Sequence, residues 1–405
     1  MFKKEIGKYS TLLSLYLAQS IPMSFFSTVV PVIMRMEQYS LESIGYLQLI
    51  KLPWIIKFLW APLVDRTSAG TRQYRRWILA SELFYAIVIV SIGFFSLQTD
   101  FVTIVILMVI AFSASATQDI ATDAYAILSL RKEERSLGNS MQSAGNFLGT
   151  MVGSGVLLVI YHYWGWQKLL FCLAAFVILA LIPVMVRKTE STPKTEISKK
   201  RIFFLEFAGF FQRPGMLRHT LLLIFFYSGI IGILTMIKPY FVDLGYSIKE
   251  IGFISGIFGT ACGVALTLPA GILLRKKGLK KTVFLFASIN LAAALYFVFL
   301  TYSGNPLYLI YIGVALLWGS YAMSSVFIYT LGMSVVRKGH EGTDFTTQIV
   351  LTHLSSLIIA VSSGKLADML SYRGLFMIEA AVCLGVIILL LLTFKEKTYL
   401  VNEYS

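Results

Sequence analysis

Three ionisable residues, Lys57, Asp119 and Asp123, stand inside stretches that are otherwise apolar. Asp119 and Asp123 are four apart, so on a helix they share a face. A lysine and an aspartate held together away from water can neutralise one another as a static pair. They can also exchange a proton when one partner is drawn off, and so act as a switch. The residue types leave both open. Nearby stretches carry groups suited to holding a solute: Gln19, Lys51, Gln118, Gln142, Asn146, Tyr227, Trp318, Tyr321 and His353. Amides, phenols and an indole fit a ligand with sugar, amide or aromatic parts. His353 has a second reading, as a neutral, hydrogen-bonded core residue. There is no Walker sequence, HExxH or GxSxG, so no catalytic residue is assigned. Cys172, Cys262 and Cys383 have no CxxC spacing, and neither a metal nor a cofactor is expected.

The elements that must position these groups follow from composition. Of 405 residues, 57% are hydrophobic and 14% charged. Soluble domains carry about 25% charged residues, and one of this length could not cover so much apolar surface. Soluble and disordered classes are excluded. So are β-barrels, because the apolar runs are continuous rather than alternating. An all-α polytopic membrane protein remains. At roughly 20 apolar residues per span, the sequence divides into twelve: 9–32, 42–64, 77–97, 101–129, 137–160, 165–186, 219–242, 247–273, 282–301, 306–336, 345–369 and 375–394.

The net charge is +14. In a membrane protein it reads as the bias of basic residues to the cytoplasmic side, not as a nucleic-acid site. Counting Lys and Arg on alternate sides of the spans gives 27 against 4, with four more inside spans. Both termini and the 187–218 segment are therefore expected in the cytoplasm. Lys3, Lys4 and Lys8 precede an apolar run too long for a signal peptide, so the first span is read as uncleaved. In this orientation spans 2 and 4 both run inward. Lys57 and Asp119 then lie at matched depth, each roughly 6–7 Å cytoplasmic of its span centre, and can pair. Asp123 lies nearer the cytoplasm and is expected to brace the 2–3 and 4–5 loops. Glu82, Lys238, Lys365, Asp368 and Glu379 lie toward span ends, where charged heads are expected to snorkel to the interface.

The chain repeats itself. Tyr39-Ser-Leu-Glu-Ser-Ile-Gly-Tyr46 and Tyr246-Ser-Ile-Lys-Glu-Ile-Gly-Phe253 match at an offset of 207 residues. Arg131-Lys132 with Gln142, and Arg337-Lys338 with Gln348, match at 206. Residues 1–186 and 219–405 thus read as two pseudo-symmetric six-helix halves, joined by the polar 187–218 segment. That is the arrangement of the major facilitator fold, in which solute binds near the midplane between rocking halves. Gly145, Gly149 and Gly153 form a small-residue stripe on span 5, as do Gly252, Gly256, Gly259 and Gly263 on span 8. Such stripes serve close packing or a sliding contact.

Lys57-Phe-Leu-Trp-Ala-Pro-Leu-Val-Asp-Arg66 resembles the span 2 signature of the peptide/acetyl-coenzyme A transporter branch of the major facilitator superfamily. Gln118-Asp-Ile-Ala-Thr-Asp-Ala-Tyr125 resembles its span 4 signature, and Leu137-Gly-Asn-Ser-Met-Gln142 extends the likeness. The branch holds AmpG-type muropeptide permeases, acetyl-coenzyme A transporters and siderophore permeases. Ala61 departs from the glycine usual at the start of the 2–3 loop, and the loop is longer, ending at Arg76. The resemblance implies a monomeric inner-membrane permease of a bacterial type that imports a bulky polar solute with protons. It puts weight on Asp119 and Asp123, and on Asp65 and Arg66 as a gating loop. Muropeptides lead as the solute, with ferric siderophores and acetyl-coenzyme A as alternatives. A membrane-embedded acyltransferase would need an acid/base constellation at an interface, and none is visible. Membrane lipid and the solute are the only partners expected.

Overall fold

The computed structural model describes residues 2–39, 47–187 and 203–394. Among them every regular element is helical. In hydrocarbon no water pairs with backbone N–H and C=O, so a segment that spans must satisfy them within itself. Seven helices are long and apolar enough to cross a membrane. Three of the seven run 52–55 residues, Lys132–Val186, Lys249–Leu300 and Glu341–Leu392. Each is broken once by a residue of positive φ: Gly165, Gly278 and Ser371. Each long helix is thus two spans joined by a single tight break. With the broken segment Gln48–Arg66 and the helix Thr71–Ile92, the arrangement is consistent with twelve spans. The repeat motif at 40–46, most of the central loop (188–202) and the tail from 395 lie outside the described residues.

Span 2 is not a continuous helix. It consists of a 3-10 turn Gln48–Lys51, a helix Leu52–Ile56, a second 3-10 turn Lys57–Leu59 and a helix Ala61–Arg66. Pro53 and Pro62 each sit in the first turn of their short helix. Proline lacks the N–H an interior position needs and its ring clashes with the preceding turn, so each one restarts the helix. Lys57 falls at the break between them.

Packing gathers the chain into two units. The first holds Met1–Arg131, Gly145–Phe207 and Val336–Val350; the second holds Lys132–Ala144, Ala208–Val335 and Leu351–Ser405. The start of span 5 therefore packs with the second unit, and the start of span 11 with the first. In the first unit the end of span 2 meets the start of span 11, through Asp65 and Gly342. In the second, Ser140 Oγ donates to the Thr267 carbonyl at 2.7 Å. There a Cβ on Gly271 would stand 2.1 Å from Ser140 Oγ. Gly271 lies one repeat beyond Asp65, and Ser136, on the same turn as Ser140, one repeat before Gly342. The same junction is thus made twice, by a carboxylate in one unit and by a bare glycine in the other.

The glycine stripe of span 5 packs within the first unit. A Cβ on Gly145, Gly149 or Gly153 would come within 2.8 Å of Tyr16, Ser20 or Ile21 and Ser24 of span 1. At one end of this seam both helices loosen into π turns, Phe25–Val29 and Val152–Val156. In span 8, a Cβ on Gly259 would meet the Trp318 indole at 2.3 Å. Gly252 and Gly256 face open space.

Candidate functional site

The first unit builds a polar centre around the helix Phe101–Ser129. Gln118, Asp119, Thr122 and Asp123 are all buried on it. Lys57 has no exposed surface, and its Nζ donates to Asp119 Oδ2. The break in span 2 lets this happen, because the 3-10 turn delivers the side chain inward at the depth of Asp119. The same ammonium lies 4.5 Å from the centroid of the Trp54 ring, whose π face favours a cation.

Span 1 supplies the rest. Gln19 Nε2 donates to Gln118 Oε1. Tyr16 donates its hydroxyl to Asp123 Oδ1 at 2.6 Å, and Ser20 Oγ donates to Asn146 Oδ1 at 2.7 Å. The sequence reading placed Asp123 against the loops. Its Oδ1 is tied to span 1. Gln118 Nε2 is buried without a hydrogen-bond partner among the described residues. Lys51, half-buried, ends the first 3-10 turn, about two turns from Lys57 along the span.

The second unit gathers three of the predicted aromatics. Tyr227 and Tyr321 meet edge to face with centroids 5.9 Å apart, and Trp318 meets Tyr321 at 6.3 Å. Gly259 gives the indole its room. Gln142 is buried on the helix Arg135–Met151 that also carries Asn146. His353 is exposed, which overturns its reading as a core histidine.

Asp65 lies near the end of the helix Ala61–Arg66 and is buried. Its Oδ1 accepts the Gly342 N–H at 2.9 Å and its Oδ2 the Thr343 N–H at 2.7 Å, while the Tyr74 hydroxyl donates to Oδ1 at 2.6 Å. Gly342 and Thr343 open the long helix that begins at Glu341. A carboxylate on the unpaired N–H groups of a helix start satisfies them and meets the positive end of the dipole. Burial raises the Asp65 carboxyl to about 7, and nearby Glu341 adds to the rise; hydrogen bonds from Thr343 and Tyr74 pull it back. Next to this cap, Arg337 grips buried Asp344 through both carboxylate oxygens at 2.6–3.2 Å. Arg66 is exposed.

Two carboxyls were misplaced by the sequence reading. Glu82 and Glu379 do not snorkel; both are buried. Glu379 accepts from Ser363 Oγ at 2.8 Å, and its Oε1 fills the place where Gly232 would carry a Cβ. Lys238, Lys365 and Asp368 are exposed, as expected. Tyr16, Trp54 and Tyr74 were missed. Trp54 sits one helical turn from Lys57 and could have been found by that spacing; the other two could not.

A family model described as Major Facilitator Superfamily matches residues 12–358. The chain belongs to this superfamily. It is a multi-pass membrane transporter of a small-molecule solute and not an enzyme. The Escherichia coli K12 protein named anhydromuropeptide permease is 24% identical over 395 residues, covering 96% of this chain and 80% of that one. A Rickettsia prowazekii protein named as transporter AmpG 3 is 26% identical over 425 residues, covering 100% of this chain and 99% of that one. The Escherichia coli fucose:proton symporter superposes with a TM-score of 0.73 at 13% identity, over 96% of this chain and 98% of that one. A bacterial homologue of the iron transporter ferroportin, in an outward-facing state, gives 0.71 at 17% over 95% and 98%. At these identities the two structures speak to fold alone.

Proposed function

We propose that this facilitator is a proton-coupled importer of muropeptides, the anhydro-amino-sugar peptides released from cell wall. It acts as a monomer in the cytoplasmic membrane of a bacterial-type cell, with both termini inside. Its working halves are 1–186 and 219–405, joined by 187–218. The observation that carries the reading is the Lys57–Asp119 pair, sealed from water at a break in span 2. An ion pair at membrane depth is costly and persists where it is used. Protonating Asp119 removes its charge and releases the Lys57 ammonium, which the Trp54 ring continues to hold. The ammonium is then free to take a carboxylate of the solute. Losing the proton to the cytoplasm restores the pair and ejects the solute. Gln19, Gln118, Gln142 and Asn146 match the amide and hydroxyl groups of such a ligand, with Lys51 as a second cation and His353 as a further contact. Tyr227, Trp318 and Tyr321 offer faces on which a sugar ring packs. The relatives named for muropeptides over nearly the whole chain support the choice of solute. Asp65 and Arg66 form the gating loop, with the Asp65 cap as its latch.

Inverted membrane vesicles are the wrong sense for import, so the test uses right-side-out vesicles with labelled anhydromuropeptide and, separately, labelled ferric siderophore. Accumulation of the muropeptide that collapses with the pH gradient supports the proposal. Accumulation of the siderophore alone, or uptake indifferent to the gradient, overturns the solute or the coupling respectively.

A further inference from the structure

The first unit buries a carboxyl that the account above does not use. Glu82 lies on the helix Thr71–Ile92 and has no exposed surface. Neither of its oxygens has a hydrogen-bond partner among the described residues. The face of the helix explains its position. Ile78, Glu82, Tyr85 and Ile89 share the buried stripe, while Leu83, Phe84 and Ile87 are about half exposed on the other side.

The level of Glu82 in the bundle follows from its neighbour. Tyr85 lies against Ser115 of the antiparallel helix Phe101–Ser129. Glu82 is three residues cytoplasmic of Tyr85, and Asp119 is four residues cytoplasmic of Ser115. At about 1.5 Å per residue both lie roughly 5–6 Å further in. Glu82 is thus level with the Lys57–Asp119 pair.

The groups that could compensate a charge on Glu82 are few. On its own helix Tyr85 is the titratable neighbour. From Phe101–Ser129 come Asp119, taken by Lys57, and Asp123, which Tyr16 meets. The third helix packed here, Leu157–Ala180, carries His162, Lys168 and Cys172, all exposed. No described cation touches Glu82. An ionised carboxylate without donor or counter-charge in such a place carries a penalty far larger than one hydrogen bond returns. A neutral acid does not.

We propose that Glu82 is a second proton-binding site of the transporter. In this conformation it carries a proton, and it releases that proton only in a conformation where water or a cation reaches the carboxyl. The proposal rests on the proton-coupled reading given above. Protonation joins a proton to one Glu82 oxygen, and release returns it to water; no other group changes.

The test uses the full-length protein in liposomes. Infrared difference spectra between wild type and Glu82→Gln at pH 7 should show loss of one protonated-carboxyl stretch. The pH profile of gradient-driven accumulation should lose its alkaline limb in Glu82→Gln, while downhill exchange stays within about twofold of wild type. Loss of an ionised-carboxylate band instead overturns the proposal. So does an unchanged pH profile, the result for a carboxyl that only fills space. If Glu82→Gln does not fold, Glu82→Asp serves: a shifted protonated-carboxyl band supports the proposal, and a shifted carboxylate band overturns it. Wild-type uptake that ignores the gradient would remove the coupling reading with the Glu82 band still in place. Failure at Glu82 alone would leave gradient-driven uptake intact.

Discussion

Replacing Asp65 by Asn tests the cap on the helix that begins at Glu341. The two Asp65 oxygens accept N–H groups from Gly342 and Thr343, and Asn can present only one oxygen. One charge-assisted hydrogen bond is lost, about 1.5–3 kcal/mol, together with the charge on the helix start, about 0.3–1 kcal/mol. The junction should weaken by about 2–4 kcal/mol, at least about 30-fold in its opening constant. Burial raises the carboxyl to about 7, so the closed junction disfavours the charged form. Wild-type closure is strongest below that pH and weakens as pH rises through it; Asn cannot ionise and has no such dependence. Hydrogen exchange at Gly342 and Thr343, corrected for intrinsic rates, reads this directly. Exchange should be about 30-fold or more faster in Asp65→Asn at pH 6, and the factor should shrink at pH 8 as the wild-type junction weakens. No change at pH 6, or a factor that grows from pH 6 to pH 8, would refute the reasoning.

Gly149→Ala puts a Cβ 2.3 Å from Ser20 Cβ, so it should cost about 1–3 kcal/mol of overpacking. A lower Tm than for Gly155→Ala, where a Cβ meets nothing within 4 Å, checks it. Trp318→Ala should raise the apparent constant for muropeptide more than it lowers expression, and Trp318→Phe should recover part of the loss; equal constants for all three would remove the aromatic cluster from binding. A cysteine at exposed Lys276 should resist a membrane-impermeant reagent in intact cells and react in inverted vesicles. Labelling in intact cells would reverse the orientation.

Much of the architecture was legible because membrane depth constrains a sequence more tightly than water does. Apolar run lengths gave the spans, and the breaks at Gly278 and Ser371 fall in the gaps between them, with Gly165 at the edge of a third. The Lys57–Asp119 pair was legible by the same logic, since inward-running spans fix both depths. Rotation of a helix about its axis was harder. Glu82 and Glu379 were read as snorkelling because depth says nothing about which side of a span faces protein. The cap by Asp65 joins residues 277 apart, with no local pattern to announce it. The breaking of span 2 was visible in Pro53 and Pro62, yet its consequence, an inward-turned Lys57, needed the backbone. The exchange of the span 5 and span 11 starts between packing units left only the repeat offset as its trace.

The claim that the Lys57–Asp119 pair couples protons to import is tested most directly by comparing accumulation with exchange in one variant. Asp119→Asn, reconstituted in liposomes with an imposed pH gradient, should lose accumulation of labelled anhydromuropeptide while retaining measurable downhill exchange. The double variant Lys57→Met with Asp119→Leu should also fail to accumulate. Full, pH-dependent accumulation by the double variant would mean that the pair is a static neutralising contact, and would take Asp119 out of the mechanism.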